Sequence, residues 1–139
     1  MAEMTVEQRD AFLKDLRIGK LVTLYADGRP AVVPVWYEWD GRDAYIFTGS
    51  DSEKVRRIRR DPRVALSVEE PVGAEEAWVT IEGTAAVIDK GGYELASRLA
   101  PRYYQAEKAR RTLEAWRKVA DTFVLLKITP TRIRSSAKE

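Results

Sequence analysis

With 24 Lys and Arg against 22 Asp and Glu over 139 residues, the chain carries a formal net charge of +2, too small to argue for general nucleic-acid affinity. Hydrophobic content of 45% and charged content of 33% describe one folded domain over residues 1–139, able to bury roughly two-thirds of its unfolded surface. Cys and His are both absent, which removes thiolate nucleophiles, iron–sulfur clusters, His-based triads and His-ligated zinc or haem, so no metal site is expected and the chemistry falls to carboxylates, hydroxyls, amines or a borrowed cofactor.

No apolar run approaches the ~20 residues a membrane span requires. Met1–Gln8 has neither a basic start nor an apolar stretch, so a signal peptide is not expected and a cytoplasmic location is the default. Thr5-Val-Glu-Gln8 reads as a capping box, opening a helix with Val6, Phe12, Leu13 and Leu16 on its apolar side to about residue 17. Strands follow at Lys20–Tyr25, Ala31–Trp39 and Ala44–Thr48, separated by Asp27-Gly28 and Asp40-Gly41 turns. Together they predict a three-stranded antiparallel meander. Ser50-Asp-Ser-Glu53 is a second capping box, and its short helix should end before Pro62. Further strands are predicted at Arg63–Val68 and Ala77–Ile88, the latter with a bulge or bend at Gly83. Tyr93 to about Lys118 is predicted helical with a break near Pro101, and a last strand runs from Phe123 to Ile128, ending near Thr129-Pro130. Lys138–Glu139 is expected to fray.

Residues 20–25, 31–37 and 123–128 are apolar on both faces, so both faces should be covered. In a mainly β, antiparallel chain of this size, one face can line a small barrel while the other meets helices or a second subunit. The expectation is a β-barrel with peripheral helices, assembled as a homodimer.

The segment Thr48–Arg63 concentrates cations: Lys54, Arg56, Arg57, Arg59, Arg60 and Arg63. It also places Ser50 and Ser52 where a strand hands over to a helix, whose free amides attract anions. A lysine in a first helical turn is opposed by the macrodipole, and a bound phosphate touching Thr48, Ser52 and Lys54 would explain it. A hydroxyl-rich turn beside a solvated lysine fits these residues equally well. Val55, Ile58 and Pro62 form the predicted buried stripe, which leaves most of the arginines solvated, with Arg57 the one nearest a phosphate site. A nucleic-acid interface would interleave stacking aromatics with the cations, and none lies between Lys54 and Arg63.

Four runs carry a resemblance: Gly28–Tyr37 (Gly-Arg-Pro-Ala-Val-Val-Pro-Val-Trp-Tyr), Tyr45–Thr48, Ser52-Glu-Lys54 and Arg59–Leu66 (Arg-Arg-Asp-Pro-Arg-Val-Ala-Leu). With Val79–Ala85 and Ile128–Ile133, they resemble the pyridoxamine 5′-phosphate oxidase-like split barrels, and especially the small flavin- and deazaflavin-dependent oxidoreductases. The resemblance implies a split β-barrel dimer with FMN or F420 at the subunit interface. It places Thr48, Ser50, Ser52, Lys54 and Arg57 around the phosphate, Pro34, Val35 and Trp36 against the ring, and Trp78 at a position where some relatives touch the cofactor. Pyridoxamine phosphate oxidases proper carry cations at the positions of Val32, Tyr37 and Glu53. Their absence here argues against that reaction and weakens the case for a tightly held FMN phosphate, while the Lys54–Arg63 pattern is closer to that of F420-using relatives. The expected activity is hydride transfer to a small organic acceptor, with no catalytic side chain assigned. The alternative is a cofactor-binding or sequestering module with little turnover. Tyr37, Trp36, Trp39, Tyr103, Tyr104 and Trp116 are read as core or pocket wall, with packing favoured for the last three.

Overall fold

The computed structural model describes residues 1–138, and the fraying expected at Glu139 lies outside them. The first helix, α1 (Val6–Lys14), opens on the predicted capping box: the Thr5 hydroxyl accepts from the Gln8 amide at 3.1 Å, and Gln8 Oε1 accepts from the Thr5 amide at 2.8 Å. It ends three residues before the predicted limit. Arg17 folds back, donating to the Phe12 carbonyl at 2.5 Å and to Glu70 at 2.7 Å, with its guanidinium 3.7 Å over the Phe12 ring. A carbonyl that a further helical turn would have used is thereby satisfied by a side chain. Val6 and Leu16 are left exposed, and only Phe12 and Leu13 are buried from this helix.

Strands β1 (Gly19–Leu24) and β2 (Pro30–Val35) form the expected hairpin, with Gly28 supplying the positive φ of 88° in its turn. The predicted continuation to Trp39 does not occur. The chain leaves the ladder at Trp36 and Tyr37 and re-enters as β3 (Glu38–Trp39), which pairs with β4 (Ala44–Gly49). The three-stranded meander is therefore two separate hairpins. Buried Tyr37 turns into the core while Trp36 turns towards other rings.

A serine two residues later than expected caps α2 (Glu53–Arg60): Ser52 accepts from the Val55 amide at 3.4 Å. Ser50 is held elsewhere, its amide donating to the Thr122 carbonyl at 2.8 Å, while Ser52 N–H closes a turn onto Gly49. The Ser50–Glu53 capping box is thus not formed. The helix ends before Pro62 as predicted; Val55 and Ile58 are buried, but Pro62 is exposed.

Strands β5 (Arg63–Glu69), β6 (Ala77–Ile88) and β7 (Phe123–Ala137) complete one antiparallel sheet in the order β2-β1-β5-β6-β7-β4-β3. The last strand runs nine residues past its predicted end at Ile128. Pro130 is tolerated because its partner is Gly83, at the register shift between Glu82 and Gly83 where a bulge was expected. The inward faces of the strands bury Leu21, Ile46, Leu66, Val79, Ile81 and Leu126 in one core.

Two helices, α3 (Gly92–Tyr103) and α4 (Ala106–Arg117), pack as a hairpin over β4 and β7. Pro101 sits inside the last turn of α3, and the break falls at Tyr104-Gln105, where the Tyr104 amide still reaches the Ala100 carbonyl at 2.8 Å. These helices cover one part of the sheet's outer surface. On β2 the outward Val32 and Pro34 stay exposed beside half-buried Val22. No helix among the described residues is long and apolar enough to cross a membrane.

Candidate functional site

The sheet order places β2 and β3 at opposite ends, yet only Trp36 and Tyr37 join them. The sheet must curl until its ends nearly meet. A cavity of about 420 Å³ lies at that seam. On one side β2 contributes Pro34 and Val35, with Trp36 just beyond; on the other β4 contributes Ile46 and Phe47. Lys54 enters from the first turn of α2, and Tyr104 and Trp116 close the space from the helical hairpin.

The rings form one continuous cluster. Trp36 stacks on Tyr103 with centroids 4.8 Å apart and planes 4° apart, and meets Tyr104 edge-on at 4.8 Å. Phe47 lies 5.9 Å from Trp36 and 5.5 Å from Trp116, both edge to face. Phe123 extends the cluster, 6.0 Å from Phe47 and 5.6 Å from Trp116. Such offset and edge geometries are the favoured ones and add to burial in fixing ring positions. Tyr103 is pinned further by its hydroxyl, which donates to the Arg17 carbonyl at 2.6 Å.

Lys54 is half-buried and, among the described residues, has no carboxylate within ion-pair reach. Its acidic neighbour Glu53 pairs with Arg56 instead. Burial, followed by the positive field of Arg57, pushes the Lys54 pKa below its usual value. A half-buried cation left without a counter-charge is suited to receiving an anion.

Arg57, one turn further along, is half-buried but does not line this cavity. Its Nε donates to the buried Thr23 hydroxyl at 2.7 Å, and its guanidinium lies 5.1 Å over the Tyr25 ring. With Arg29, Arg56 and Arg60 it walls a second hollow of about 370 Å³ beside the β1–β2 turn, where Asp27 and Glu53 also line the wall and pair with Arg29 and Arg56. The other helix arginines are outward, as expected.

Thr48 is half-buried at the end of β4, Ser50 is exposed in the following turn, and Ser52 uses its oxygen as the helix cap while its hydroxyl proton stays free to donate. Trp78 is remote: it lies on β6 opposite Ser136 with the Arg134 guanidinium 5.9 Å over its ring. Pro34, Val35, Trp36 and Lys54 are thus brought together, whereas Thr48, Ser50, Ser52, Arg57 and Trp78 do not line the cavity. Tyr37 and Trp39 are core residues, the Trp39 indole donating to Asp10 at 3.0 Å. Sequence reasoning missed Ile18, Ile46 and Phe47 and took Tyr104 and Trp116 for packing. Phe47 could have been found, since it directly precedes Thr48 on the same strand end.

The profile of the family described as pyridoxamine 5′-phosphate oxidase matches residues 5–137. The 5a,11a-dehydrotetracycline/5a,11a-dehydrooxytetracycline reductase of Streptomyces rimosus is 37% identical over 90 residues, 60% of this chain and 63% of that protein, less than two-thirds of its length. Among solved structures, a conserved hypothetical protein from Mycobacterium tuberculosis is 26% identical, with a TM-score of 0.75 over 96% of this chain and 85% of that one. An F420 reductase is 24% identical with a TM-score of 0.70 over 89% of this chain and 94% of its own. A FAD-binding protein from Mesorhizobium loti is 23% identical with a TM-score of 0.68 over 99% and 97% of the two chains. The last two likenesses establish the shared fold.

Proposed function

The chain belongs to the pyridoxamine 5′-phosphate oxidase family, and on that premise we propose that it is an oxidoreductase that binds F420 or FMN and reduces a small organic acceptor. The carrying observation is Lys54, an unpaired and half-buried cation in a cavity otherwise walled by rings and aliphatic side chains. When bound, a reduced flavin or deazaflavin supplies a hydride for an electron-poor carbon, and the protein supplies binding, orientation and a dry environment. Lys54, Thr48, Ser50 and Ser52 would hold the phosphate at the start of α2. Pro34, Val35 and Trp36 would lie against the ring.

F420 is favoured over FMN by the arginine-walled hollow one helical turn beyond Lys54. A ligand ending at one phosphate has no use for it, whereas a longer anionic chain would run on past Arg57 towards Arg60, the two cations of the hollow that Asp27 and Glu53 do not pair. Reaction on pyridoxamine phosphate itself is disfavoured, because Val32, Tyr37 and Glu53 stand where the oxidases proper carry cations. The reductase likeness in Streptomyces rimosus supports reduction of a conjugated small molecule as the reaction class. Homodimerisation is supported by exposed Val32 and Pro34 on the outer face of β2, with the cofactor between the subunits.

The test is titration of the purified protein with F420 and with FMN separately, followed by cofactor fluorescence. Micromolar binding of F420 and weaker binding of FMN is the expected result. Binding of neither sinks the reading. A cofactor that binds but never cycles with any electron acceptor returns the chain to the sequestering module.

A further inference from the structure

The side of the sheet turned away from the core is flat and small-featured on β2, β1 and β5. Pro34, Lys20 and Ser67 lie side by side across these strands, and Val32, Val22 and Ala65 form the next row. Val32 and Pro34 are exposed, and Val22 and Ala65 are half-buried. The helices lie elsewhere: α3 and α4 over β4 and β7, α1 beside β3, and α2 turned to the core through Val55 and Ile58. This surface carries opposite charge at its two ends, which the seven residues of β5 hold roughly 20 Å apart. At one end, the stretch 69–76 between β5 and β6 has four Glu and no cation, and its Val72 is fully exposed. Glu69 and Glu70 pair with Lys20 and Arg17, but Glu75 and Glu76 have no ion-pair partner among the described residues. At the other end, where α2 hands over to β5, exposed Arg59 also lacks a carboxylate partner and stands outside the arginine-walled hollow. Exposed Arg132, beside the β6–β7 bulge, is unpaired in the same sense.

Resting on the homodimer proposed above, we infer that the second copy docks on this surface with its strands reversed, about a twofold axis that crosses the strands, and that its β1–β2 turn completes the seam cavity. A twofold contact uses the same patch on both copies. An axis along the strands would stack each acidic loop on its own copy and each Arg59 on its own. An axis across the strands sets each loop against the partner's Arg59 and the partner's Arg132, so unlike charges meet. Area requires these ends. Four strands about 4.8 Å apart and roughly 23 Å long present on the order of 450 Å², less than the ~800 Å² that each partner of a stable dimer buries. The loops and the α2–β5 corner supply the remainder. The same axis lays β2 over the partner's β2 in the opposite direction. The partner's Tyr25 and the partner's Arg29 then reach the Pro34 end of β2, where exposed Pro34 and Ile18 form the open rim of the cavity.

Sedimentation equilibrium at low and high NaCl, with and without F420 or FMN, reads the sign of the contact. Unlike ends in contact predict a dimer that weakens at least ~3-fold as salt screens them, whereas like ends predict one that tightens. Glu75→Arg with Glu76→Arg, and separately Arg59→Glu with Arg132→Glu, should each weaken the dimer ~10-fold or more. Mixing the two variants should restore it, because every loop again meets the opposite sign. The chain has no Cys, so coupling of introduced cysteines by a bismaleimide maps the ends directly. A mixture of Glu75→Cys and Arg59→Cys should yield covalent mixed dimers, and Glu75→Cys alone should yield none. Covalent dimers of Glu75→Cys alone, a dimer that tightens with salt, charge reversals without effect, or a chain that stays monomeric with and without cofactor each overturns the inference. Cofactor titration judges the reductase reading separately: a reversed dimer that binds neither F420 nor FMN keeps the interface and removes that reading instead.

Discussion

Replacing Lys54 with methionine separates a ligand-binding role from a structural one, because the two predict opposite signs. The substitution keeps the aliphatic stem in the seam and deletes the ammonium. A charge-assisted hydrogen bond to a phosphate contributes about 1.5–3 kcal/mol, so cofactor affinity should fall roughly 10- to 100-fold. The unliganded protein should not suffer. Its folded state disfavours the lysine cation, since burial and then Arg57 lower the pKa from 10.5. A lysine with a depressed folded pKa costs stability wherever it is charged in both states. That cost is relieved as pH rises from the folded pKa towards 10.5, the unfolded value. Lys54→Met should therefore leave stability at pH 7 within about 0.5 kcal/mol of the parent or raise it, and should abolish any gain seen on approaching pH 10.5. Urea unfolding across pH 7 to 10.5, paired with cofactor titration, reads both effects. A variant less stable by more than about 1 kcal/mol with unchanged affinity would refute the reasoning, for Lys54 would then be a structural cation.

Arg57→Gln should weaken F420 by about tenfold and FMN by less than about threefold, since only the longer anionic chain reaches the arginine-walled hollow; equal losses would remove that hollow from the cofactor site. Gly83→Ala would place a Cβ 2.1 Å from the Thr129 carbonyl oxygen. Because the obstacle is backbone, β7 must shift, and the urea midpoint should drop by the equivalent of about 1–3 kcal/mol. Asp61, whose carboxyl is held at about 2 by the side chain and then the amide of Arg63, has a folded pKa below its ordinary 3.8. The stabilisation is present above 3.8 and lost as pH falls through about 2. Acid unfolding of Asp61→Asn should thus be flatter between pH 4 and 2 than that of the parent, and superimposable curves would dismiss the Asp61–Arg63 pair.

Much of the architecture was readable because it rests on local chemistry. The Thr5–Gln8 cap, the Asp27-Gly28 turn and the stop before Pro62 each depend on residues within a few positions. The errors arose where a distant partner decides. Ser50 lost its capping role to Thr122, and α1 lost its last turn to Arg17 and Glu70. Pro130 reads as a strand end until Gly83 is seen opposite it. The site was half legible for the same reason: Pro34 to Trp36 and Thr48 to Lys54 lie near one another in sequence, whereas Tyr104 and Trp116 join them only through the packing of α3 and α4 on the sheet.

The seam has a further consequence. β2 is bonded only to β1, and β4, carrying Phe47 and Thr48, is bonded to β7 and the two-residue β3. A ligand held between Pro34 and Lys54 would therefore act as a clasp between terminal β2 and the helix that follows β4, near the other end of the ladder. At a free concentration one hundred times its Kd, a ligand adds about 2.7 kcal/mol to stability. Slowed amide hydrogen exchange should then concentrate at β2 and β4, where the ladder can open at its ends without global unfolding, rather than in β5 and β6 at its centre. The clasp would tighten the part of the molecule that breathes most, so that the filled protein and the empty one differ chiefly in how often the ladder's ends come apart.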